Sequence, residues 1–480
     1  MKRQSGILLH VSSLPSDYGI GSFGRGAYEL VDLLAESGFS IWQVLPFCVT
    51  DEYHSPYKSR ASLGVNPYFI DLDLLAEEGL LTERELQGAR QHSPYLAEYG
   101  RLERERLPLL AKAAARVKKS QKKKAEVISF VDSHAPLGRA CEFLALSCEN
   151  GAEPWQSWRT HTPDPDTLFL WQFIHYEFYR QWHALKSYAN EKGISIIGDL
   201  PMYVDLDSAD VYFAPHLFCL DGEGYPTAVA GVPPDAFAAD GQLWRNPLYN
   251  YTEMARDGFA FWRERLGVML ELFDGVRIDH FRAFESYWSV PVGAASAREG
   301  HWVDGPREPL IDVIREVASG KLIIAEDLGV ITDEVKELVR YSGFPGMRVL
   351  QFGFAEGCDN PHLPHNYNEH TVAYTGTHDN NTALGYLFEI SDWERRRLLE
   401  YCAGGNPDGA HAVREMVKTV LRSSAATAIF PIQDILGYGG DTRMNTPGVA
   451  TGNWEYRVTR EQLSAIDRKY WKEQNALFAR

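Results

Sequence analysis

Runs of apolar, mostly β-branched residues that end abruptly in charged residues recur along the chain. The clearest of them include residues 275–280 (GVRIDH), 323–329 (IIAEDLG) and 375–380 (TGTHDN). An apolar run of this kind, without polar alternation, is typical of a strand buried on both faces of a parallel sheet. Because such strands deliver polar residues at their carboxyl ends, the three runs predict one polar site at the rim of a sheet.

Eight apolar runs predict strands, and helical periodicity fills most of the intervals between them. The predicted strands are residues 6–10, 41–46, 194–201, 275–281, 322–329, 347–352, 371–379 and 428–433. Helical patterns cover residues 28–37, 83–91, 102–124, 309–318, 333–341, 410–421 and 460–477. Eight strands that alternate with helices predict an α/β fold, a (β/α)₈ TIM barrel.

The chain of 480 residues is much longer than a bare barrel, which takes about 250 residues. We expect residues 1–480 to form a single catalytic barrel with two insertions. Residues 48–192 are predicted to be a mainly helical subdomain, and residues 202–262 a loop-rich subdomain that overhangs the site. Both leave the carboxyl ends of strands, where insertions build the walls of a site. No C-terminal β-sandwich domain is expected.

Composition narrows the classes of function. The formal net charge of −17 and a sequence pI near 5.4 disfavour nucleic acid and anionic membranes as partners, since both need clustered Lys and Arg. The basic stretch at residues 118–124 is predicted to be a solvated helix face. Six cysteines without a CxxC pair indicate free thiols. We expect a cytoplasmic protein without a membrane span, and the oligomeric state stays open.

The strand that ends near residue 280 supplies the first candidate catalytic group. Side chains alternate along a strand, so Arg277 and Asp279 share the face that points into the site. A guanidinium beside a carboxylate favours its ionised form, which a nucleophile requires. The alternative interpretation is a structural ion pair that closes the rim of the barrel.

The next strand ends in Glu326 and Asp327. Neighbouring strands lie ~4.8 Å apart, which suits the ~5–5.5 Å that separates the two carboxyl groups of a retaining glycosidase. Glu326 is the predicted acid/base, because Glu has the higher intrinsic pKa and an apolar pocket raises it further. Asp327 points to the other face, and we expect it to cap the following helix.

Two further acidic residues lie at predicted strand ends. His378 and Asp379 are placed to bind sugar hydroxyls and to stabilise an oxocarbenium-like transition state, with an Asx-type turn as the alternative. Asp199 is either a turn residue or a hydroxyl ligand by the same argument. The chain has no G-x-S-x-G, P-loop or H-E-x-x-H motif, so no serine nucleophile, nucleotide or metal is predicted.

Over nearly its whole length the chain resembles the 4-α-glucanotransferases, or amylomaltases, of glycoside hydrolase family 77 in the α-amylase clan. The motifs that carry the resemblance, in order, are residues 5–10 (SGILLH), 55–57 (SPY), 198–201 (GDLP), 231–235 (GVPPD), 241–244 (GQLW), 246–249 (NPLY), 364–367 (PHNY), 443–447 (RMNTP) and 452–454 (GNW). The resemblance implies that Asp279 is the nucleophile, Glu326 the acid/base and Asp379 the transition-state stabiliser, with no cofactor.

The resemblance also implies a set of substrate-binding residues. Around the scissile bond these are Arg277, His378, Asp199 and Tyr57, and in the overhanging loop Trp244, Gln242 and Asp235. Two residues of that loop depart from the family pattern. Ala236 stands where an aromatic residue is usual, and Arg245 where Gly is usual. The resemblance therefore implies nothing about the preferred length of the glucan.

The expected function is that of a 4-α-glucanotransferase, with maltodextrins and glucose as donor and acceptor. Whether an acceptor sugar or water attacks the glycosyl enzyme depends on how well the loops exclude water. An α-glucan hydrolase of the same clan is therefore the alternative. A non-catalytic glucan-binding barrel is a third possibility, but it would be expected to lack one of the carboxylates, and none is missing.

Overall fold

A computed structural model describes residues 2–234 and 239–480. Its strands are β1 (Gln4–Leu8), β2 (Ile41–Gln43), β3 (Ser195–Leu200), β4 (Ala228–Val232), β5 (Gln242–Pro247), β6 (Gly275–Ile278), β7 (Ser286–Pro291), β8 (His301–Asp304), β9 (Leu322–Ala325), β10 (Gly346–Val349), β11 (Thr371–Tyr374) and β12 (Thr427–Pro431).

The structure also describes α-helices between and after these strands. They are α1 (Arg25–Glu36), α2 (Leu72–Glu77), α3 (Glu83–Ala89), α4 (Tyr99–Lys118), α5 (Gln121–Asp132), α6 (Ala135–Glu149), α7 (Pro165–Glu191), α8 (Ala209–Phe213), α9 (Tyr251–Arg256), α10 (Ala260–Leu272), α11 (Arg307–Ala318), α12 (Asp333–Ser342), α13 (Ala383–Glu389), α14 (Asp392–Ala403), α15 (Gly409–Arg422), α16 (Ile432–Leu436), α17 (Arg460–Ser464) and α18 (Arg468–Leu477).

Eight parallel strands close into a barrel in the order β1-β12-β11-β10-β9-β6-β3-β2. This confirms the predicted (β/α)₈ barrel, and each of the eight strands overlaps an interval that the apolar runs predict. Most strands end earlier than predicted. For example, β11 ends at Tyr374 rather than at residue 379, because the polar residues that follow leave the hydrogen-bonded ladder and form the loops of the site.

Close packing inside the barrel wall depends on a glycine next to a site residue. Gly198 lies on β3, and a Cβ atom there would lie 2.3 Å from the ring of Phe273. The parallel register places Asp199 directly beside Arg277 on β6. The ring of Phe273 therefore packs against the backbone immediately before Asp199.

The first insertion is helical. It contains α2 to α7, and the long helix α7 buries Trp182, whose indole N–H donates to the Leu272 carbonyl at 2.9 Å. The single helical pattern predicted over residues 102–124 is divided between α4 and α5. The division lies at Ser120, whose side chain caps α5 by accepting from the Lys123 N–H. A serine side chain that satisfies the first turn of a new helix favours this break.

The second insertion holds regular structure that the sequence pattern did not predict. Strands β4, β5, β7 and β8 form an antiparallel sheet in the order β5-β4-β7-β8. Two of its strands precede β6 and two follow it, so the sheet joins residues on both sides of a barrel strand. The limits of the two subdomains stay a prediction. Within the described ranges, every helix is too short or too polar to cross a membrane.

Candidate active site

Asp279 follows β6 directly and lies at the carboxyl end of the barrel. Its N–H donates to the Leu200 carbonyl at 3.0 Å, which fixes the backbone against β3. One carboxylate oxygen lies 2.9 Å from Nη2 of Arg277. The Arg277 side chain is 4 % exposed, whereas that of Asp279 is 28 % exposed. The carboxylate is therefore held from the barrel side and open on the other.

Arg277 lies between two carboxylates. Its Nη1 donates to both oxygens of the buried Asp199, at 2.8 and 2.7 Å. Burial lowers the pKa of Arg277, but Asp199 and Asp279 outweigh it and hold the pKa well above the ordinary value. Burial raises the pKa of Asp199, and the guanidinium opposes that rise. The Tyr57 hydroxyl also donates to Asp199, at 2.8 Å.

Glu326 follows β9 and is oriented by two backbone N–H groups. Its two carboxylate oxygens accept from the N–H groups of His280, at 2.7 Å, and Leu328, at 2.8 Å. Burial raises the pKa of Glu326 to about 7. Arg277 and the two N–H groups oppose this rise, and the neighbouring Asp279 adds to it. A carboxyl group with that pKa is able to give and take a proton near neutral pH.

His378 and Asp379 lie in the loop after β11. Nε2 of His378 lies 3.4 Å from one oxygen of Asp379, and Asn445 donates to the other at 2.6 Å. Burial would raise the pKa of Asp379, but His378 and Asn445 outweigh it and hold the pKa below its ordinary range. Burial lowers the pKa of His378, but Asp379 outweighs it and the pKa is raised. Each of the two side chains therefore favours the charged form of the other.

Aromatic rings line two sides of this cluster. The Tyr57 ring stacks on His378 with centroids 5.1 Å apart, and Trp454 lies 6.0 Å from each of them. On the other side, Trp244 meets His280 edge to face at 4.9 Å. The Trp244 indole donates to the side chain of Gln242 at 3.1 Å.

Of the ten predicted site residues, nine lie within the described ranges. Arg277 links Asp199, Asp279 and Glu326 electrostatically, and it also acts on Asp379. Tyr57 and His378 join this group, and Trp244 and Gln242 lie on β5 beside it. Asp235 and the neighbouring Ala236 lie outside the described residues. Arg245 adopts a left-handed backbone with φ of 66° and is exposed.

The expectation that Asp327 caps a helix is wrong. Its carboxylate accepts from the Met347 N–H at 2.6 Å and from Arg348 at 2.8 Å, so it joins the ends of β9 and β10. Thr332, five residues later, caps α12 instead.

Sequence reasoning did not identify Asn445, Arg443 or His280 as site residues. Arg443 donates to the backbone carbonyl of Asp379 at 2.7 Å. The signals were present in the motifs at residues 443–447 and 275–280, but their partners are too far away in sequence to be inferred. Among the described residues, no group of three or more His, Cys, Asp or Glu side chains is arranged to hold a metal ion.

Comparison with known proteins identifies relatives over nearly the whole chain. The family model described as 4-alpha-glucanotransferase (glycoside hydrolase 77) matches residues 9–463. A 4-alpha-glucanotransferase of Streptococcus pneumoniae is 42 % identical over 96 % of this chain and 94 % of its own length. One from Thermus thermophilus is 41 % identical over 97 % of this chain and 96 % of its own length.

Solved structures agree with these matches. An amylomaltase from Streptococcus agalactiae, in complex with acarbose, superposes with a TM-score of 0.95 and 35 % identity, and the match covers 100 % of both chains. An amylomaltase from Corynebacterium glutamicum superposes with a TM-score of 0.83 over 99 % of this chain and 75 % of the other. Its 20 % identity supports the fold alone.

Proposed function

The chain belongs to the 4-alpha-glucanotransferase family of glycosyltransferases that act on α-1,4-glucans, and on that premise we propose a retaining double displacement through Asp279 and Glu326. The observation that carries the proposal is the contrast between these two carboxyl groups. Asp279 is paired with a buried guanidinium, whereas burial raises the pKa of Glu326 to about 7. One ionised and one protonated carboxyl group are what retaining chemistry requires.

In the first half-reaction, an Asp279 oxygen attacks the anomeric carbon while Glu326 gives its proton to the glycosidic oxygen. The bond between that carbon and the oxygen breaks, the leaving chain departs with a new hydroxyl group, and a glycosyl ester forms on Asp279. In the second half-reaction, ionised Glu326 takes the proton from the 4-hydroxyl of an acceptor sugar. That oxygen attacks the anomeric carbon, and the Asp279 carboxylate is released.

The remaining polar groups act on the sugar ring. We assign His378 and Asp379 to the sugar hydroxyls, where the negative charge of Asp379 stabilises the oxocarbenium-like transition state. Arg277 holds Asp279 at 2.9 Å and prevents its rotation. Asp199 holds Arg277 in turn, Tyr57 donates to Asp199, and both complete the pocket around the ring.

Transfer requires an acceptor sugar to occupy the site in preference to water. Trp244 and His280 offer aromatic surface beside Asp279, where a flat sugar face packs and excludes water. Maltodextrins and glucose are the proposed donors and acceptors. The complex of the Streptococcus agalactiae amylomaltase with acarbose supports a site for an oligosaccharide here. Six free cysteines support the proposed cytoplasmic location.

The proposal is tested by incubation of the purified protein with maltotriose, with glucose and the complete set of products followed over time. We expect glucose together with maltodextrins longer than the substrate. The Asp279→Asn variant, which keeps the shape of the side chain, is expected to form neither. Products no longer than maltotriose would mean that water is the acceptor and would contradict transfer. An active Asp279→Asn variant would contradict the assigned nucleophile.

A further inference from the structure

One buried carboxylate outside the proposed substrate-binding set is bonded to both ends of the loop that carries His378 and Asp379. It belongs to Asp434, which lies on α16 and is 3 % exposed. One oxygen accepts from the Thr375 hydroxyl at 2.5 Å, and the other accepts from the Ala383 N–H at 2.7 Å.

The two partners of Asp434 mark the limits of the loop. Strand β11 ends at Tyr374, immediately before Thr375, and α13 begins at Ala383. Residues 375–382 therefore span from one hydrogen-bond donor almost to the other. With both donors on one carboxylate, the separation between the strand end and the helix start is fixed.

Gln433, the neighbour of Asp434, holds a second segment that contacts Asp379. The side-chain amide of Gln433 donates to the Thr442 carbonyl at 3.0 Å. The next residue, Arg443, binds the backbone carbonyl of Asp379 at 2.7 Å. Two consecutive residues of α16 thus hold the Asp379 loop and the segment that contacts it.

A carboxylate in this position is costly. The pKa of Asp434 is influenced by its burial and by the hydrogen bonds from Thr375 and Ala383. Within the part of the chain that the structure describes, no cationic side chain contributes. A buried ionised group without a counter-charge destabilises a fold, and an apolar residue would fill the same space without that cost. Burial raises the pKa of Asp434 to about 6, and the two hydrogen bonds oppose the rise.

We propose that Asp434 is a positioning residue for Asp379. By joining Thr375 to Ala383 it sets where the loop places the Asp379 carboxylate over the sugar ring. The inference rests on the proposed function, since it concerns how the transition-state stabiliser is held. It predicts an effect on turnover rather than on the affinity for the glucan.

Three variants test the role through maltotriose disproportionation. Asp434→Ala removes both hydrogen bonds, and we expect kcat to fall about 10- to 100-fold, the cost of a small misplacement of a catalytic group, with KM nearly unchanged. Asp434→Asn retains an acceptor for Ala383 and a donor for Thr375, so it is expected to keep most of the wild-type kcat. Thr375→Val loses one hydrogen bond, and its kcat is expected to lie between those of Asp434→Ala and Asp434→Asn.

Asp71 offers a matched control. It is also buried, and its carboxylate also accepts from one hydroxyl, that of Ser22 at 2.6 Å, and one backbone N–H near a helix start, that of Leu74 at 3.1 Å. Its partners are outside the Asp379 loop. Asp71→Ala is therefore expected to lower the melting temperature while kcat per folded molecule stays at the wild-type value.

The outcomes separate the two proposals. A wild-type kcat per folded molecule in Asp434→Ala, or equal losses in Asp434→Ala and Asp71→Ala, would overturn the positioning role. If Asp434→Ala does not fold, Thr375→Val and Asp434→Asn decide, and a wild-type kcat in Thr375→Val would overturn the role. A wild-type protein that forms no maltodextrin longer than maltotriose would instead contradict the proposed function.

Discussion

The two roles proposed for Glu326, as acid and as base, depend on opposing influences on its pKa. Burial favours the protonated carboxyl group, whereas the N–H groups of His280 and Leu328 favour the ionised one. Because the bonds come from the backbone, the carboxyl group keeps its place in both protonation states. An acid/base that must give a proton in one step and take one in the next requires this balance.

The balance at Glu326 predicts the pH dependence of donor cleavage. The first step needs the protonated acid, so kcat/KM for a maltodextrin is expected to fall as the pH rises through about 7, the pKa to which burial raises this group. In Glu326→Gln we expect the activity on natural glucans to be lost, and with it the fall of kcat/KM at high pH. A donor whose leaving group needs no protonation, such as a glucosyl fluoride, should still react in that variant.

Stopped assays across the pH range, with wild type and Glu326→Gln in parallel, measure the effect. A wild-type profile that stays flat well above pH 7, or a variant with a normal rate on maltotriose, would remove Glu326 from the acid/base role.

The backbone of Arg245 is strained. Its φ of 66° lies in the left-handed region that favours glycine, and it follows Trp244 in β5. Arg245→Gly is expected to raise the free energy of unfolding by about 0.5–1 kcal/mol, as the strain is relieved. Arg245→Ala keeps the strain and should bring no gain. Thermal unfolding of both variants checks this, and equal stability of the Gly and Ala variants would contradict it.

At the residue scale, the sequence predicted the groups that follow strands and missed those that arrive through loops. Asp279 and Glu326 could be placed because each ends an apolar run. Asn445 bonds to Asp379 across 66 residues of chain, and Asp434 bonds to Thr375 across 59. Nothing in the local pattern around residues 434 and 445 indicates these partners, because they meet only when the barrel closes.

At the element scale, the predictable strands were those buried on both faces. The barrel strands are short apolar runs, and their burial leaves a pattern that is visible in the sequence. The strands of the second sheet carry a weaker pattern. Strand β4 shifts register against β5 between Val229 and Gly231, and its other partner, β7, lies beyond β6. Long-range pairing of short strands is not encoded in local periodicity.

The packing of β3 gives a test at this scale. A Cβ atom at Gly198 would lie 2.3 Å from the buried ring of Phe273, so Gly198→Ala is expected to lower the free energy of unfolding by about 1–3 kcal/mol, the usual cost of overpacking. Because Asp199 is the next residue, kcat should fall as well.

The matched control is Gly267→Ala in α10, where an added Cβ atom meets no other atom within 4 Å. That variant is expected to be neutral or stabilised by about 0.5–1 kcal/mol, since alanine favours a helix. Urea unfolding compares the two variants. A Gly198→Ala protein as stable as Gly267→Ala would contradict the packing argument.

At the scale of the whole molecule, the large net charge of the chain contrasts with the paired charges of the candidate site. The chain carries a net charge of −17, yet the groups around Asp279 are arranged in compensating pairs with Arg277 and His378. A neutral glucan gains nothing from long-range electrostatic attraction. Activity on maltotriose is therefore expected to change less than twofold between about 0.05 M and about 0.5 M salt, a range over which exposed charges become screened. A steep loss with salt would indicate a charged substrate instead.

The central claim is that a glycosyl group passes through Asp279 on its way from donor to acceptor. The most direct measurement uses Glu326→Gln with α-maltotriosyl fluoride, whose fluoride leaves without a proton from the acid. Without its acid/base the variant is slow to release the sugar, so a glycosyl enzyme should accumulate. Mass spectrometry of the whole protein and of its peptides is predicted to find one maltotriosyl group, attached to Asp279. A sugar attached to another residue, or consumption of the fluoride by Glu326→Gln/Asp279→Asn at the rate of Glu326→Gln, would contradict the account.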